Sequence, residues 1–386
     1  MQMIEDINTY PTPFYIVYEN RIRRNLDIID RVRKEADVEI IMAFKANALW
    51  KTFDALREYG FGSTASSLNE LLLGNEFLRR KVHSYCPVYT SSSIKEFLKG
   101  SSHITFNSIS QFLVHHDTLK QWNIEHSDKV SAGLRVNPQC SVIETDIYNP
   151  ALPGSRFGVT SDMIGDSLPD GIEGLHFHQL CESTSYDLEK VLEAFKSQFG
   201  KYLSQIKWIN MGGGHLMTRK DYDVNHLISL LQSFHNEYPW IKIILEPGSA
   251  FMWRTGDLVT TVMDIVENQG IKTAIIDASF ACHMPDTLEM PYMPTITESV
   301  EVSKELPTYR LGGNSCLSGD FKGDWSFPVP LKQGDRLTFE DMNHYTTVKT
   351  NMFNGIQHPD IIYYRKDNSV ELLRHFTYDD YKNRMD

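Results

Sequence analysis

The stretch Gly171–His215, GIEGLHFHQLCESTSYDLEKVLEAFKSQFGKYLSQIKWINMGGGH, decides how the chain is read. An apolar run at Ile172–His178 gives way to an amphipathic segment at Tyr186–Phe199. A second apolar run, Ile206–Asn210, then ends in three glycines. Two strands joined through a helix need a crossover and therefore run parallel. The same alternation extends outward in both directions. Strand-like runs fall at Val38–Phe44, Gly62–Ala65, Val82–Cys86, His103–Phe106, Val130–Val136 and Ile241–Leu245, with amphipathic segments such as Lys51–Tyr59, Leu68–Leu78 and Val224–His235. Eight strands with helices between most of them is the count of a (β/α)8 barrel of the TIM type. An open doubly wound sheet shares the alternation.

Beyond Arg254 the texture changes. Asp257–Val266, Thr273–Ala278, Ser299–Val302, Thr308–Leu311, Arg336–Phe339 and the pair Ile361–Arg365/Val370–Phe376 read as strands, with Asp367-Asn368-Ser369 as a hairpin turn. The expected architecture is a barrel over residues 17–255 and a C-terminal all-β domain over 256–386, to which residues 1–16 are also assigned. Asn137–Gly158, rich in Pro, Gly and Asn, is a long loop after the fifth strand, and long loops inside compact domains are more often functional than idle.

Composition narrows the class. The 386 residues are 41% hydrophobic and 23% charged, ordinary for a globular protein. Fifty acidic against 38 basic residues give a net charge of −12, which disfavours a nucleic-acid polymer or an anionic membrane as partner. No apolar run has the length of a membrane span, and the opening residues lack the basic and apolar regions of a secretory signal. Five scattered cysteines without CxxC spacing fit neither a disulfide scaffold nor a zinc ribbon. A cytoplasmic enzyme is the expectation.

The unusual residues fall at the C-terminal ends of the barrel strands, where barrel active sites are built. Lys45 follows the buried run IIMAF; a lysine there is either a salt-bridged rim residue or a desolvated amine suited to Schiff-base chemistry. Gly212, Gly213 and Gly214 follow strand seven, the usual barrel phosphate site, where backbone N–H groups can close on an oxyanion. Glu246 ends strand eight and offers a carboxylate to a protonated ring nitrogen such as that of pyridoxal 5'-phosphate. His176 and His178 lie on one face at strand spacing, but no third ligand stands at a persuasive spacing, so no metal is expected.

Five motifs carry a resemblance: Leu175–Glu182 (LHFHQLCE), Pro153–Val159 (PGSRFGV), His283–Tyr292 (HMPDTLEMPY), Ser315–Asp320 (SCLSGD) and His344–Gly355 (HYTTVKTNMFNG). From about Thr12 to about Gly355 the chain resembles the fold-type III decarboxylases dependent on pyridoxal phosphate (PLP), which share the alanine racemase/ornithine decarboxylase-like fold. Within them it looks most like the carboxynorspermidine/carboxyspermidine decarboxylases. The resemblance implies PLP as cofactor and Lys45 as the Schiff-base lysine. His178 would stack on the ring, Gly212 to Gly214 and Tyr345 would bind the phosphate, and Glu246 would pair with the ring nitrogen, oriented by Arg135. It further implies that Cys316 is contributed by a neighbouring subunit, so that a homodimer shares its active sites. Glu182, Ser249, Asp286 and Asp320 would meet the substrate.

The implied reaction is decarboxylation of a small-molecule amino acid bearing an aminocarboxypropyl unit, of the carboxynorspermidine/carboxyspermidine type. Two departures matter. Ser249 stands where those enzymes have the last acid of EPGE, and Met293 where they have the cation of EMPYRP. They leave open a second reading, decarboxylation of a 3-amino-3-carboxypropyl group on a larger natural product such as a microcin C-type peptidyl nucleotide. The diaminopimelate/ornithine type and a non-catalytic PLP carrier fit less well, the carrier because the appended β-domain is foreign to it.

Overall fold

The structure, a computed structural model, describes residues 2–290 and 292–386. The chain forms two units by its internal contacts: Arg24–Phe251, and Met1–Arg23 together with Met252–Asp386.

In the first unit the strands Glu39–Ala43, Gly62–Ala65, Val82–Tyr85, Ser101–Phe106, Ser131–Arg135, Ile172–His176, Trp208–Asn210 and Lys242–Leu245 pair in parallel and close a barrel. Closure decides between barrel and open sheet: Ile244 and Leu245 of the eighth strand pair with Glu39 and Ile40 of the first. Helix caps fix where the strand-to-helix loops end. Ser67 Oγ accepts the Glu70 N–H at 3.2 Å at the start of Leu68–Phe77. Thr184 and Asp187 form a reciprocal capping box at the start of Ser185–Phe199. The loops carrying the LHFHQLCE and Ala65-Ser66-Ser67 segments are thereby held at the carboxyl ends of their strands.

The barrel axis is filled in an uncommon way. Trp208, 3% exposed, lies over Gly133 and Gly174 of the two preceding strands and forms a core with Ile41 and Ile244. A Cβ on Gly174 would lie 2.1 Å from Trp208 Cδ2, and one on Gly133 2.2 Å from Cη2. The indole Nε1 donates to Ser131 Oγ at 2.8 Å, and that hydroxyl donates to Glu173 Oε2 at 2.6 Å, so the buried ring leaves no polar atom unpaired.

The second unit is a nine-stranded mixed sheet among the described residues. Its order is Gln2–Met3, Val370–Arg374, Asp360–Tyr364, Phe14–Tyr18, Gly256–Asn268, Ile271–Ile276, Thr308–Gly312, Phe321–Ser326, with Arg336–Phe339 also on Gly256–Asn268. Two neighbouring pairs run parallel. The turn at Asn368 adopts φ 68° and Ser369 N–H bonds Asp367 Oδ1, as hairpin chemistry requires.

Two expectations need correction. A boundary at residue 17 would cut Phe14–Tyr18, which pairs with both Gly256–Asn268 and Asp360–Tyr364 and so belongs to the sheet. Ser299–Val302 is not a strand; only Val300 bridges to Ser326. Short helices at Phe280–His283, Asp286–Glu289 and Tyr378–Met385 accompany the sheet of the expected C-terminal β-domain.

Gly174→Ala is expected to cost about 2 kcal/mol or more, because the added methyl overlaps a rigid buried ring. Urea unfolding would show a lower midpoint at unchanged slope. An unchanged midpoint would mean that the indole can move aside.

Candidate active site

Lys45, two residues past the first strand, meets His178, two residues past the sixth, with 3.4 Å between Nζ and Nε2. Lys45 is solvent-exposed as a residue, yet enough protein surrounds its amine for desolvation to be the largest influence, lowering its pKa below the ordinary lysine value. Glu246 opposes that shift and Arg135 reinforces it.

His178 Nδ1 accepts the Gly213 N–H at 2.9 Å. That bond assigns the proton to Nε2, the nitrogen facing Lys45. Burial, with Lys45 next, lowers the His178 pKa to about 3, so the ring is neutral near pH 7. His178 therefore presents its Nε2–H side to the Lys45 amine.

Glu246, 6% exposed, follows the eighth strand. Burial opposes its ionisation, but His176 and His178 hold its carboxyl well below the ordinary carboxylate range. Oε1 lies 3.0 Å from His176 Nε2 and 3.7 Å from His178 Nδ1, and Oε2 accepts from Asn210 Nδ2 at 3.1 Å. The His176 contact has ion-pair distance without hydrogen-bond alignment.

The three glycines adopt a turn closed to side chains. Gly212 and Gly214 have φ of 73° and 86°, and a Cβ on Gly213 would lie 2.5 Å from the Glu246 carbonyl oxygen. The Gly212 and Gly213 N–H groups are spent on Asn210 Oδ1 and His178 Nδ1. The Gly214 N–H bonds nothing among the described residues.

Arg135 is held differently from expectation. Its guanidinium lies over the rings of Tyr85 and Phe157, 4.6 and 4.4 Å from their centroids, and donates to the His178 carbonyl at 3.4 Å. It makes no direct bond to Glu246, and its buried Nε has no hydrogen-bond partner among the described residues. Glu182 is exposed with φ 48°, its carbonyl accepting from Arg219, and Ser249 is half-buried at the start of Ser249–Met252.

The remaining candidates lie in the second unit. Cys316 is exposed, with its N–H on Asn354 Oδ1 at 2.8 Å. Asp320 is 4% exposed and accepts from Ala281 N–H, Ser315 N–H and Ser315 Oγ; its carboxylate shapes the loop that carries Cys316. Asp286 pairs with Lys349 at 2.7 Å, and Lys349 also pairs with Glu289. Tyr345 is half-buried with φ 50°.

Asn210, Tyr85, Phe157 and Glu70 entered the site only in three dimensions. Three share a signal of position: Asn210 and Tyr85 end barrel strands, and Glu70 lies in the first turn of the helix after the second, while Phe157 stands inside the PGSRFGV motif. The Glu70 carboxyl is pushed up by burial, with a Ser66 N–H bond and Lys45 opposing.

His176, His178 and Glu246 bring ligand atoms within 4.8 Å of one another, so the third ligand missing from the spacing argument exists as Glu246. An ion there would need a lone pair on His178, whose Nδ1 is committed to Gly213 and whose Nε2 carries the proton. The arrangement favours an organic cofactor.

Comparisons with known proteins agree. A family model for the pyridoxal-dependent decarboxylase C-terminal sheet domain matches residues 15–343. Carboxyaminopropylagmatine decarboxylase of Synechocystis sp. is 44% identical over 379 residues, covering 98% of this chain and 96% of that protein. Carboxynorspermidine/carboxyspermidine decarboxylase of Campylobacter jejuni is 38% identical, covering 97% and 98%. The crystal structure of the C. jejuni carboxynorspermidine decarboxylase complexed with norspermidine aligns with a TM-score of 0.88 at 35% identity, covering 97% of this chain and 100% of that one.

The residues present fit PLP: an amine of lowered pKa, a buried ionised carboxylate, a glycine turn that no Cβ could enter, and a buried Arg135 Nε lacking a partner. When bound, PLP supplies the electron sink for the bond broken at the substrate carbon.

In cofactor-free protein, competitive acetylation should report a Lys45 pKa below that of exposed lysines. Glu246→Gln should lower it further, since the carboxylate is what favours the ammonium form. A Lys45 that titrates like surface lysines in both proteins would contradict the described environment. Motif, fold and site geometry converge, and the chain belongs to the pyridoxal-dependent decarboxylase family.

Proposed function

We propose that the protein decarboxylates the 3-amino-3-carboxypropyl end of an N-substituted amine, with the agmatine conjugate preferred over carboxynorspermidine and carboxyspermidine. The observation that carries this reading is near-full-length identity to relatives with those names, 44% for the agmatine enzyme against 38% and 33% for the other two. The same comparisons do not favour the larger natural-product substrate that Ser249 and Met293 left open; those two positions are read here as variation within the polyamine-precursor class.

In the reaction the Cα–carboxylate bond breaks, CO2 leaves and a proton takes its place, giving an aminopropyl amine. Lys45 holds the cofactor and, by its lowered pKa, keeps part of its amine ready as a nucleophile. Glu246 stays ionised and holds the proton of the ring nitrogen. His178, fixed by Gly213, presents a flat neutral face to the ring. Gly214 and Tyr345 meet the phosphate, and Arg135 backs His178 through its carbonyl. Glu182 and Ser249 receive the substrate's amine tail. Asp286 and Asp320 act through Lys349 and the Cys316 loop.

Cys316 returns the proton to Cα from a second copy of the chain, so the enzyme is a homodimer, and the cytoplasm is its compartment. No helix of the described residues is long and apolar enough to cross a membrane.

The test is CO2 release from the agmatine conjugate, carboxynorspermidine, carboxyspermidine, diaminopimelate and ornithine. The first three are expected to exceed the last two in kcat/KM by about 100-fold or more. Diaminopimelate turned over as well as the conjugates would overturn the assignment. For the dimer, mixing inactive Lys45→Ala and Cys316→Ala chains should restore about a quarter of activity, since random exchange makes half the dimers mixed, each with one complete site. No recovery after demonstrated exchange would place both residues in one chain.

A further inference from the structure

At the end of the barrel away from Lys45, where the strands begin, there is a second opening. Adjoining cavities of about 480 and 290 Å³ share Glu39, Gly62, Arg80 and Lys242. The smaller reaches inward to His83 and His103. His83, on the third strand, is 6% exposed and makes no hydrogen bond among the described residues; its Nε2 lies 3.9 Å from Glu39 Oε2. Its ring packs against that of His103 of the fourth strand, with centroids 4.0 Å apart and planes tilted by 34°, and His103 Nδ1 lies 3.1 Å from Ser102 Oγ.

The smaller cavity is lined by Arg80, Lys81 and Lys242 against one carboxylate, Glu39, and the larger adds Arg33 and Asp37. Lys242 pairs with Glu39 and Lys81 with Asp128, whereas the Arg80 guanidinium bonds only the Gly60 carbonyl among the described residues. Desolvation, then His83 and Lys242, lowers the His103 pKa to about 2. Desolvation also lowers that of His83, although Glu39 and Glu246 oppose it. Both rings are therefore neutral and carry N–H donors. A cavity lined by more cations than carboxylates, with an exposed guanidinium hydrogen-bonded only to a carbonyl among the described residues and a neutral imidazole on the buried His83, suits an oxyanion better than an amine. Decarboxylation uses none of these residues.

We propose that the amino-terminal end of the barrel is a second binding site, for a small oxyanion with a carboxylate or phosphate group, held by Arg80 and Lys242 and by the ring N–H groups of His83 and His103.

The test is calorimetric titration of the PLP-saturated enzyme in Tris buffer, with inorganic phosphate and, separately, malonate. Saturation with PLP fills the catalytic phosphate site. One equivalent per chain is expected for at least one probe, with Kd of about 1 mM or below. Binding of phosphate alone, malonate alone or both supports the site and identifies the accepted group. Arg80→Gln should weaken binding at least tenfold, and so should His103→Phe, which keeps a ring against His83 and removes the donor. Decarboxylase activity without added anion should be unchanged in both. Arg80 is exposed, so Arg80→Gln remains informative if His103→Phe folds poorly. Failure of both probes to bind at about 20 mM, or binding unaltered in Arg80→Gln, would overturn the proposal.

Discussion

A carboxylate sealed inside a barrel is tolerable only if its neighbours offset what it loses in water. Glu246 meets that condition with His176 against one oxygen and Asn210 on the other. Much of the catalytic end follows from it. Asn210 ends the seventh strand and also accepts the Gly212 N–H, so the residue that steadies the charge starts the glycine turn. The Glu246 N–H bonds the Gly212 carbonyl, and the Glu246 carbonyl sits where a side chain on Gly213 would go. Gly213 in turn fixes the ring of His178, which faces Lys45. The anion, the turn, the imidazole and the amine form one connected construction, and a change at any of them reaches the others through backbone.

The acids of the second unit are used differently. Asp320 would serve a substrate poorly by direct contact, because backbone and hydroxyl donors already surround it. What it supplies is a fixed shape for the loop bearing Cys316. Asp286 is tied to Lys349, 63 positions away. Both show a carboxylate's charge turned inward to hold a loop, while the Cys316 side chain stays exposed.

Much of this was legible in the sequence. Barrel strands are short apolar runs with helices between them, and the positions after such runs point to one end, so Lys45, His178, Glu246 and the glycines could be found without coordinates. Phe14–Tyr18 escaped because its strand character is confirmed only by partners more than 200 residues away. Phe321–Ser326, FKGDWS, is not among the expected strands and is a strand because Thr308–Gly312 pairs with it. Arg135 was identified, but not its bonding: that the guanidinium would lie between two aromatic rings depends on Phe157 returning from a long loop. No local pattern encodes a contact of that kind.

The Trp208 packing bears on how this sequence can drift. Most barrel interiors share their volume among several aliphatic side chains, which can be exchanged in small steps. Here one indole occupies space that two glycines concede. A larger residue at 133 or 174 collides while the tryptophan is present, and a smaller residue at 208 opens a void while the glycines are present. The three positions are locked to one another by strong epistasis. Descendants of this chain can leave that arrangement only through a poorly folded intermediate or by simultaneous change, so the trio should persist in the lineage long after surface residues have turned over.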